Sequence, residues 1–309
     1  MRVAVAGSTG FVGRALVDRL RMAGHQVRAL IRAPERHAGE FPMDIELAHF
    51  DALEEPIRGI LDGCDAVVNL IGESVAKRWT EAHRSRIRRS RIEGTARLVR
   101  LSREAKTVKT LVSVSAIGIY GSRDDTPLGE DAPLGSDFLA DVCKAWEAEA
   151  LEAKAAGIRV VVLRFGHVLA PGGGILGKMV PVFKLGLGGR FGSGRQYMSW
   201  ISREDVLGLV LHALGTPSLE GPVNATAPAP VTNAEFTHAL GHALGRPAVL
   251  PVPGIALKLA LGQMASALVT GQRVLPNRAK ASGYSFAHPE LEGALAAMLR
   301  GKLVVPATA

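Results

Sequence analysis

Short apolar runs alternate along this chain with longer stretches in which apolar residues recur three and four positions apart. The runs at residues 3–7, 26–31, 45–50, 66–71, 110–115 and 160–164 predict strands, and the stretches at 12–22, 53–61, 80–104 and 139–155 predict helices. A strand, a helix and another strand in that order require a crossover connection. The pattern therefore predicts α/β architecture, a doubly wound parallel sheet with helices on both faces. After residue 164 the pattern gives way to glycine-rich loops at 171–174 and 186–189 with short apolar runs between them. From residue 228 onward proline and small residues recur, followed by a helical tract at 255–270 and a last helix ending near 294–299. This predicts a main domain over 1–227, with substrate loops from about 170 to 200, and a small, mostly helical C-terminal subdomain over 228–309.

The first strand runs directly into Gly7-Ser8-Thr9-Gly10-Phe11-Val12-Gly13 and then into a helix. Gly7 can adopt backbone angles closed to other residues, Gly10 lets main chain approach a pyrophosphate, and Gly13 lets the helix pack close to the strand. The first-turn amides and the positive end of the helix dipole then face phosphate oxygens. A strand before the glycines and an amphipathic helix after them make this a dinucleotide-binding, Rossmann-type turn.

At the end of the second strand an acidic residue would bond a ribose 2′-hydroxyl, whereas a basic one accommodates a 2′-phosphate. Arg32 stands there, with Arg36 and His37 nearby, which predicts NADP(H) in preference to NAD(H); the alternative is an arginine that only solvates a strand end. Asp51 follows the third strand, either accepting a bond from the adenine amino group or capping a helix. Asn69, Leu70, Ile71 and Gly72 end the fourth strand, where bare backbone can lie against the cofactor's linking ribose and phosphates.

The 309 residues, 47% of them hydrophobic, suffice for a large core and exclude disorder as the main state. Two cysteines, Cys64 and Cys143, are too few for a disulfide framework, and the nine histidines show no metal-ligand spacing, so no metal is expected. The first strand begins by residue 3, which argues against a secretory leader and predicts a cytoplasmic protein. Lys258 and Gln263 interrupt the most apolar late stretch, so no membrane span is expected. The net charge of +8 is densest at Arg84, Arg86, Arg88, Arg89 and Arg91, but without interleaved aromatics or a recognition-helix pattern it does not predict nucleic-acid binding.

The chain resembles the extended short-chain dehydrogenase/reductases of the epimerase-like branch. The likeness is carried by Gly7-x-x-Gly10-x-x-Gly13, Asp51, Asn69-Leu-Ile-Gly72, Ser90-Arg-Ile-x-Gly94-Thr95, Val112-Ser113-Val-Ser115-Ala-Ile-Gly-Ile-Tyr120-Gly121 and Leu163-Arg-Phe-Gly-His-Val168. It is similar in particular to the atypical "epimerase family protein" subgroup, whose C-terminal domain of unknown function resembles 240–299 here, including Gly271-Gln-Arg-Val274-x-Pro276 and Gly283-Tyr-Ser-Phe286. The resemblance implies an NADP-binding oxidoreductase or nucleotide-sugar epimerase-like enzyme. It further implies that Ser113 belongs to the cofactor site and that Phe165, Gly166, His167 and Val168 border the nicotinamide. In relatives the helix at 80–104 forms a dimer, which makes a homodimer an option here.

The parent family uses a tyrosine acid with a lysine four residues on. This chain has only Tyr120, Tyr197 and Tyr284, each followed four places later by Asp124, Ile201 or His288, and position 140, four before Lys144, is alanine. Ser115 as an oxygen ligand, Tyr120 as a relocated acid and Lys144 as a ribose ligand are the remaining catalytic candidates. Each has a plain alternative: a backbone-bonded serine, a packing tyrosine and a solvated lysine. Lys77, Arg78, Trp79, Arg195, Gln196, Ser199 and Trp200 lie in loops expected to face a small, anionic or sugar-like substrate, the alternative for both tryptophans being core anchors. A non-catalytic NADPH-binding sensor or scaffold is the competing reading.

Overall fold

The computed structural model describes residues 1–299, less the side chains of residues 256, 257, 260, 261, 266 and 267. Its centre is a seven-stranded sheet built from β1 (Arg2–Ala6), β2 (Gln26–Ile31), β3 (Glu46–His49), β4 (Ala66–Asn69), β5 (Thr110–Ala116), β6 (Arg159–Phe165) and β7 (Gly221–Ala225). The spatial order is β7-β6-β5-β4-β1-β2-β3, and every pairing is parallel. The order in which strands are added reverses between β1 and β4, which opens a crevice at the carboxyl edge where such folds bind ligands.

Alternation along β1 explains the two covered faces, because successive side chains leave a strand on opposite sides. Val3 and Val5 pack with Leu16, Val17 and Leu20 of α1 (Gly13–Met22) and Leu209 and Val210 of α5 (Arg203–Gly215). Ala4 and Ala6 face Leu98, Val99 and Leu101 of α2 (Glu81–Ala105) and Ala150 of α3 (Phe138–Leu151). Thr80 and Asp137 start α2 and α3 by accepting the amides of His83 and Ala140.

The expected helix at 53–61 is absent: the segment is a run of turns. Pro56 cannot donate a backbone bond, and Gly59 and Gly63 take φ of +75° and +74°, which ends helical geometry. Two helices and a strand were missed by pattern reading: α4 (Gly174–Lys184), which contains Pro181, α5, and the edge strand β7.

The C-terminal part is helical. α6 (Asn233–Leu244) carries a reciprocal Thr232–Glu235 cap, and its Phe236 and Leu240 pack with Trp200 and with Leu291 and Leu295 of the last helix, Leu291–Leu299. The apolar tract near 255–270 forms Gly254–Leu261, a short 3-10 turn at Gly262–Ala265 and one turn of helix at Ser266–Val269. Residues 300–309 of the expected subdomain lie outside the described residues.

Candidate functional site at the carboxyl edge of the sheet

The glycine turn has no room for side chains. Gly7 sits at φ +85°, and a Cβ there would stand 2.8 Å from the Leu70 carbonyl oxygen; one on Gly13 would run into the Gly7 carbonyl. The turn is closed by Gly10 N–H donating to Gly7 O and Arg14 N–H to Gly10 O, both at 3.0 Å. No side chain caps the start of α1 and its first turn has no acidic residue, so first-turn amides and dipole are left for an anion. Thr9 and Gly10 are exposed, whereas Ser8 is buried with its hydroxyl donating to Val5 O at 2.5 Å. Phe11 supports a roof: a Cβ on Gly173 would strike its ring, and the Arg203 guanidinium lies 4.9 Å from the ring centre. These residues fit the pyrophosphate of a dinucleotide.

Arg32 is exposed at the end of β2 and pairs with no group among the described residues. Asp51 accepts the Leu53 amide at 2.8 Å, capping a turn rather than a helix. Asn69 is fully buried. Its amide donates to Thr95 Oγ1 (2.8 Å) and Ser113 Oγ (3.1 Å), its carbonyl accepts Ile71 N–H at 3.2 Å, and Trp146 Nε1 donates to the same Thr95 hydroxyl at 2.9 Å. Asn69, Leu70 and Ser113 therefore shape the strand ends beside the turn through internal bonds. Gly72 lies against Arg91, whose Nη1 donates to Glu73 O at 2.9 Å; burial holds that guanidinium below its ordinary pKa.

Tyr120, an acid candidate, is fully enclosed. Its hydroxyl donates to Asn224 Oδ1 at 2.7 Å and accepts from Arg164 Nη1 at 2.8 Å; burial raises its pKa despite both partners. The hydroxyl is thus enclosed between Asn224 and Arg164, the arrangement of the packing alternative. Arg164 also forms two bonds to Glu147, at 2.9 and 2.8 Å; burial opposes its charge, but Glu147 and Tyr120 outweigh burial and raise its pKa. Ala140, where the family's tyrosine would stand, is buried. Lys144 forms an ion pair with Asp141 at 2.7 Å on a half-exposed stretch of α3.

Ser115, at the carboxyl end of β5, is buried with its hydroxyl against the Cys143 thiol. The adjacent Cys143 thiol is pushed up to about 11 by burial first and Glu147 second, against smaller pulls from Arg91 and Ser115. His167 follows β6. Its backbone N–H donates to Ser199 O at 2.8 Å, burial lowers its imidazole pKa, and its ring pairs with nothing among the described residues. Phe165, Gly166 and Val168 join the same segment, which pairs in parallel with Trp200–Ser202.

The expected substrate loops divide. Lys77, Arg78 and Arg195 are exposed; Lys77 lies 3.5 Å from Glu73 Oε1, and Arg78 lies beside Gly262. Trp79 is half-buried, donates to Val75 O at 2.9 Å and meets Phe138 edge-on at 5.5 Å. The polar atoms of the other three are engaged in holding the loops. Gln196 donates to Phe191 O and Leu268 O (3.0 and 2.9 Å), and Ser199 donates to Gln272 O at 2.7 Å while accepting Val274 N–H at 2.8 Å. Trp200 is fully buried and donates to Ala229 O at 3.0 Å. No group of three or more potential metal ligands occurs among the described residues, and no described helix is long and apolar enough to cross a membrane.

The family model "NAD dependent epimerase/dehydratase family" matches residues 3–225, and a domain-of-unknown-function model matches 252–298. The chain is 43% identical over 295 residues to an epimerase family protein of Mycobacterium bovis, covering 95% of this chain and 96% of that one. It is 39% identical over 301 residues to the human epimerase family protein SDR39U1, covering 96% and 98%. A crystal structure of human SDR39U1 with NADPH superposes with a TM-score of 0.85 at 36% identity, covering 97% of this chain and 99% of that one. MoeE5 in complex with UDP-glucuronic acid and NAD shares the fold, with a TM-score of 0.79 at 21% identity over 97% and 98% of the two chains. With a model that spans most of its length and relatives alike from end to end, the chain belongs to the NAD dependent epimerase/dehydratase family.

Proposed function

We propose that the protein binds NADP(H) across the carboxyl edge of the sheet and uses it as an oxidoreductase or epimerase-like enzyme on a small oxyanion-bearing or sugar-like compound. The observation that carries the cofactor reading is Arg32, an unpaired guanidinium at the end of β2 beside a glycine turn that admits only bare backbone. The human relative's structure with NADPH supports the same reading. When bound, the dinucleotide supplies or accepts a hydride at the nicotinamide.

This chain's residues do the rest. The turn amides and α1 dipole hold the pyrophosphate, Arg32 holds the 2′-phosphate, and Ser115 stands at the end of β5 as the candidate ligand of the substrate oxygen. Titration with NADPH and NADH tests the cofactor reading: tighter binding of NADPH supports it, and equal or absent binding defeats it. Absorbance at 340 nm with carbonyl compounds bearing carboxylate or phosphate groups tests turnover.

A second reading, an NADPH-occupied protein that signals to a partner without turnover, is favoured by one observation. The only tyrosine near the family's catalytic segment, Tyr120, is sealed into a buried network. Full NADPH affinity with no turnover across that panel would select it.

A further inference from the structure

Eight of the fifteen large apolar side chains that stand exposed among the described residues come from two segments, 182–187 and 249–269. Leu185 and Leu187 follow α4, Val249 and Leu250 follow α6, and Ile255 and Leu259 lie one turn apart on the Gly254–Leu261 helix. Each of these six is between 48 and 77% exposed, so they project from the surface and do not line a core. Backbone bonds join the two segments into one face. Leu250 N–H donates to Gly188 O at 3.2 Å, Val252 N–H donates to Arg190 O at 2.9 Å, and Gly192 N–H returns to Val252 O at 2.9 Å. A Cβ on Gly189 would overlap the Leu250 carbonyl.

Charge says what would cover this face. Residues 165–203 and 236–289, which build it, carry ten lysines and arginines and no aspartate or glutamate. Lys184, Arg190, Arg246 and Lys258 are exposed among the apolar side chains and form no ion pair among the described residues. Glu235, the carboxylate at the edge of the second stretch, is engaged in the Thr232 cap. A second copy docked about a two-fold axis would set these cations against themselves. Aromatic residues and methionine are enriched at the centre of protein interfaces, and none of the eight side chains is either. Aliphatic side chains ringed by lysine and arginine suit the boundary between lipid headgroups and acyl chains, where the cations meet phosphate. Lys258, which keeps residues 254–270 too polar to span, is placed to do this.

We propose that this face docks on the surface of an anionic phospholipid bilayer. Leu185, Leu187, Ile255 and Leu259 enter the interface, and Lys184, Arg190 and Lys258 meet lipid phosphates. The protein lies on the membrane and does not cross it. The inference goes beyond the cofactor reading and stands without it.

The full chain is co-sedimented at low salt with vesicles of phosphatidylcholine alone and of phosphatidylcholine mixed with phosphatidylserine. Wild type should bind the mixed vesicles at least tenfold more tightly than the neutral ones and lose affinity as salt is raised. Lys184→Gln/Lys258→Gln should weaken that binding by about tenfold, and Ile255→Ser/Leu259→Ser by at least as much. Arg103→Gln/Lys109→Gln removes two exposed cations near the amino end of β5, at the opposite edge of the sheet, and should stay within twofold of wild type. Circular dichroism and melting temperature report that each variant is folded. No binding of the mixed vesicles by wild type overturns the proposal. So does retained binding in Ile255→Ser/Leu259→Ser, or an equal loss in Arg103→Gln/Lys109→Gln, which would reduce the effect to overall charge. A wild-type dimer that Ile255→Ser/Leu259→Ser dissolves, with vesicle binding absent, gives the face to a second copy and overturns it as well.

Discussion

Tyr284 donates its hydroxyl hydrogen bond to the fully buried carboxylate of Asp205 at 3.1 Å, joining the start of α5 to the C-terminal segment. Asp205 also accepts the Ser202 hydroxyl at 2.6 Å and the amides of Ala287 and His288 at 2.7 and 3.1 Å. Asp205→Ala would leave these donors unpaired and should destabilise the protein by roughly 3 kcal/mol. Tyr284→Phe, which removes one donor, should cost about 1 kcal/mol. Urea denaturation of the three proteins measures both, and equal midpoints would show that the seam contributes nothing.

Gly13→Ala should abolish dinucleotide binding while the sheet still folds. The added Cβ meets the Gly7 carbonyl, backbone that cannot swing aside, so the turn must open. Calorimetric titration with NADPH alongside far-UV circular dichroism checks it; retained affinity would place the phosphates elsewhere.

Arg32→Ala should weaken NADPH by about tenfold to a hundredfold, the worth of one or two charge-assisted bonds, and leave NADH unchanged. An equal loss for both nucleotides would show that Arg32 supports the strand end and does not read the phosphate.

Tyr120→Phe removes the acceptor for Arg164 and the donor to Asn224 inside a sealed core, so it should lower stability by about 2 kcal/mol. Any turnover should persist in the folded fraction. A loss of turnover with unchanged stability would assign the phenol as the acid.

Cys143 gives a pH signature. Its thiol is held at about 11 in the folded chain, against an ordinary value of 9.0. The folded form therefore keeps the proton more tightly than the unfolded one. That contribution is fully present below pH 9 and is lost as pH rises toward 11, about 3 kcal/mol in all. Tyr120 and Tyr284, both raised by burial, add to the same alkaline loss above pH 10. Cys143→Ala should flatten the part of the slope between pH 9 and 10, as read by thermal melting across that range.

What could be read from the chain was whatever local chemistry dictates. Gly7, Gly10 and Gly13 mark a turn because only a missing side chain fits there, and the runs around Val3, Val27, Val67 and Val112 mark strands because both sides of each are covered. The helix expected at 53–61 failed where Pro56 and two left-handed glycines overrode apolar spacing. For Ser199, Trp200 and Gln196 the sequence gives residue type but not direction, and the polar atoms of all three bond to backbone carbonyls of the loops they hold.

The clasp of Ser199 around Gln272 and Val274 ties two stretches that separate family models recognise. Those stretches are therefore not interchangeable modules. A chimera that borrowed its tail from a relative would lose that clasp unless the serine and the stretch it holds were transplanted together.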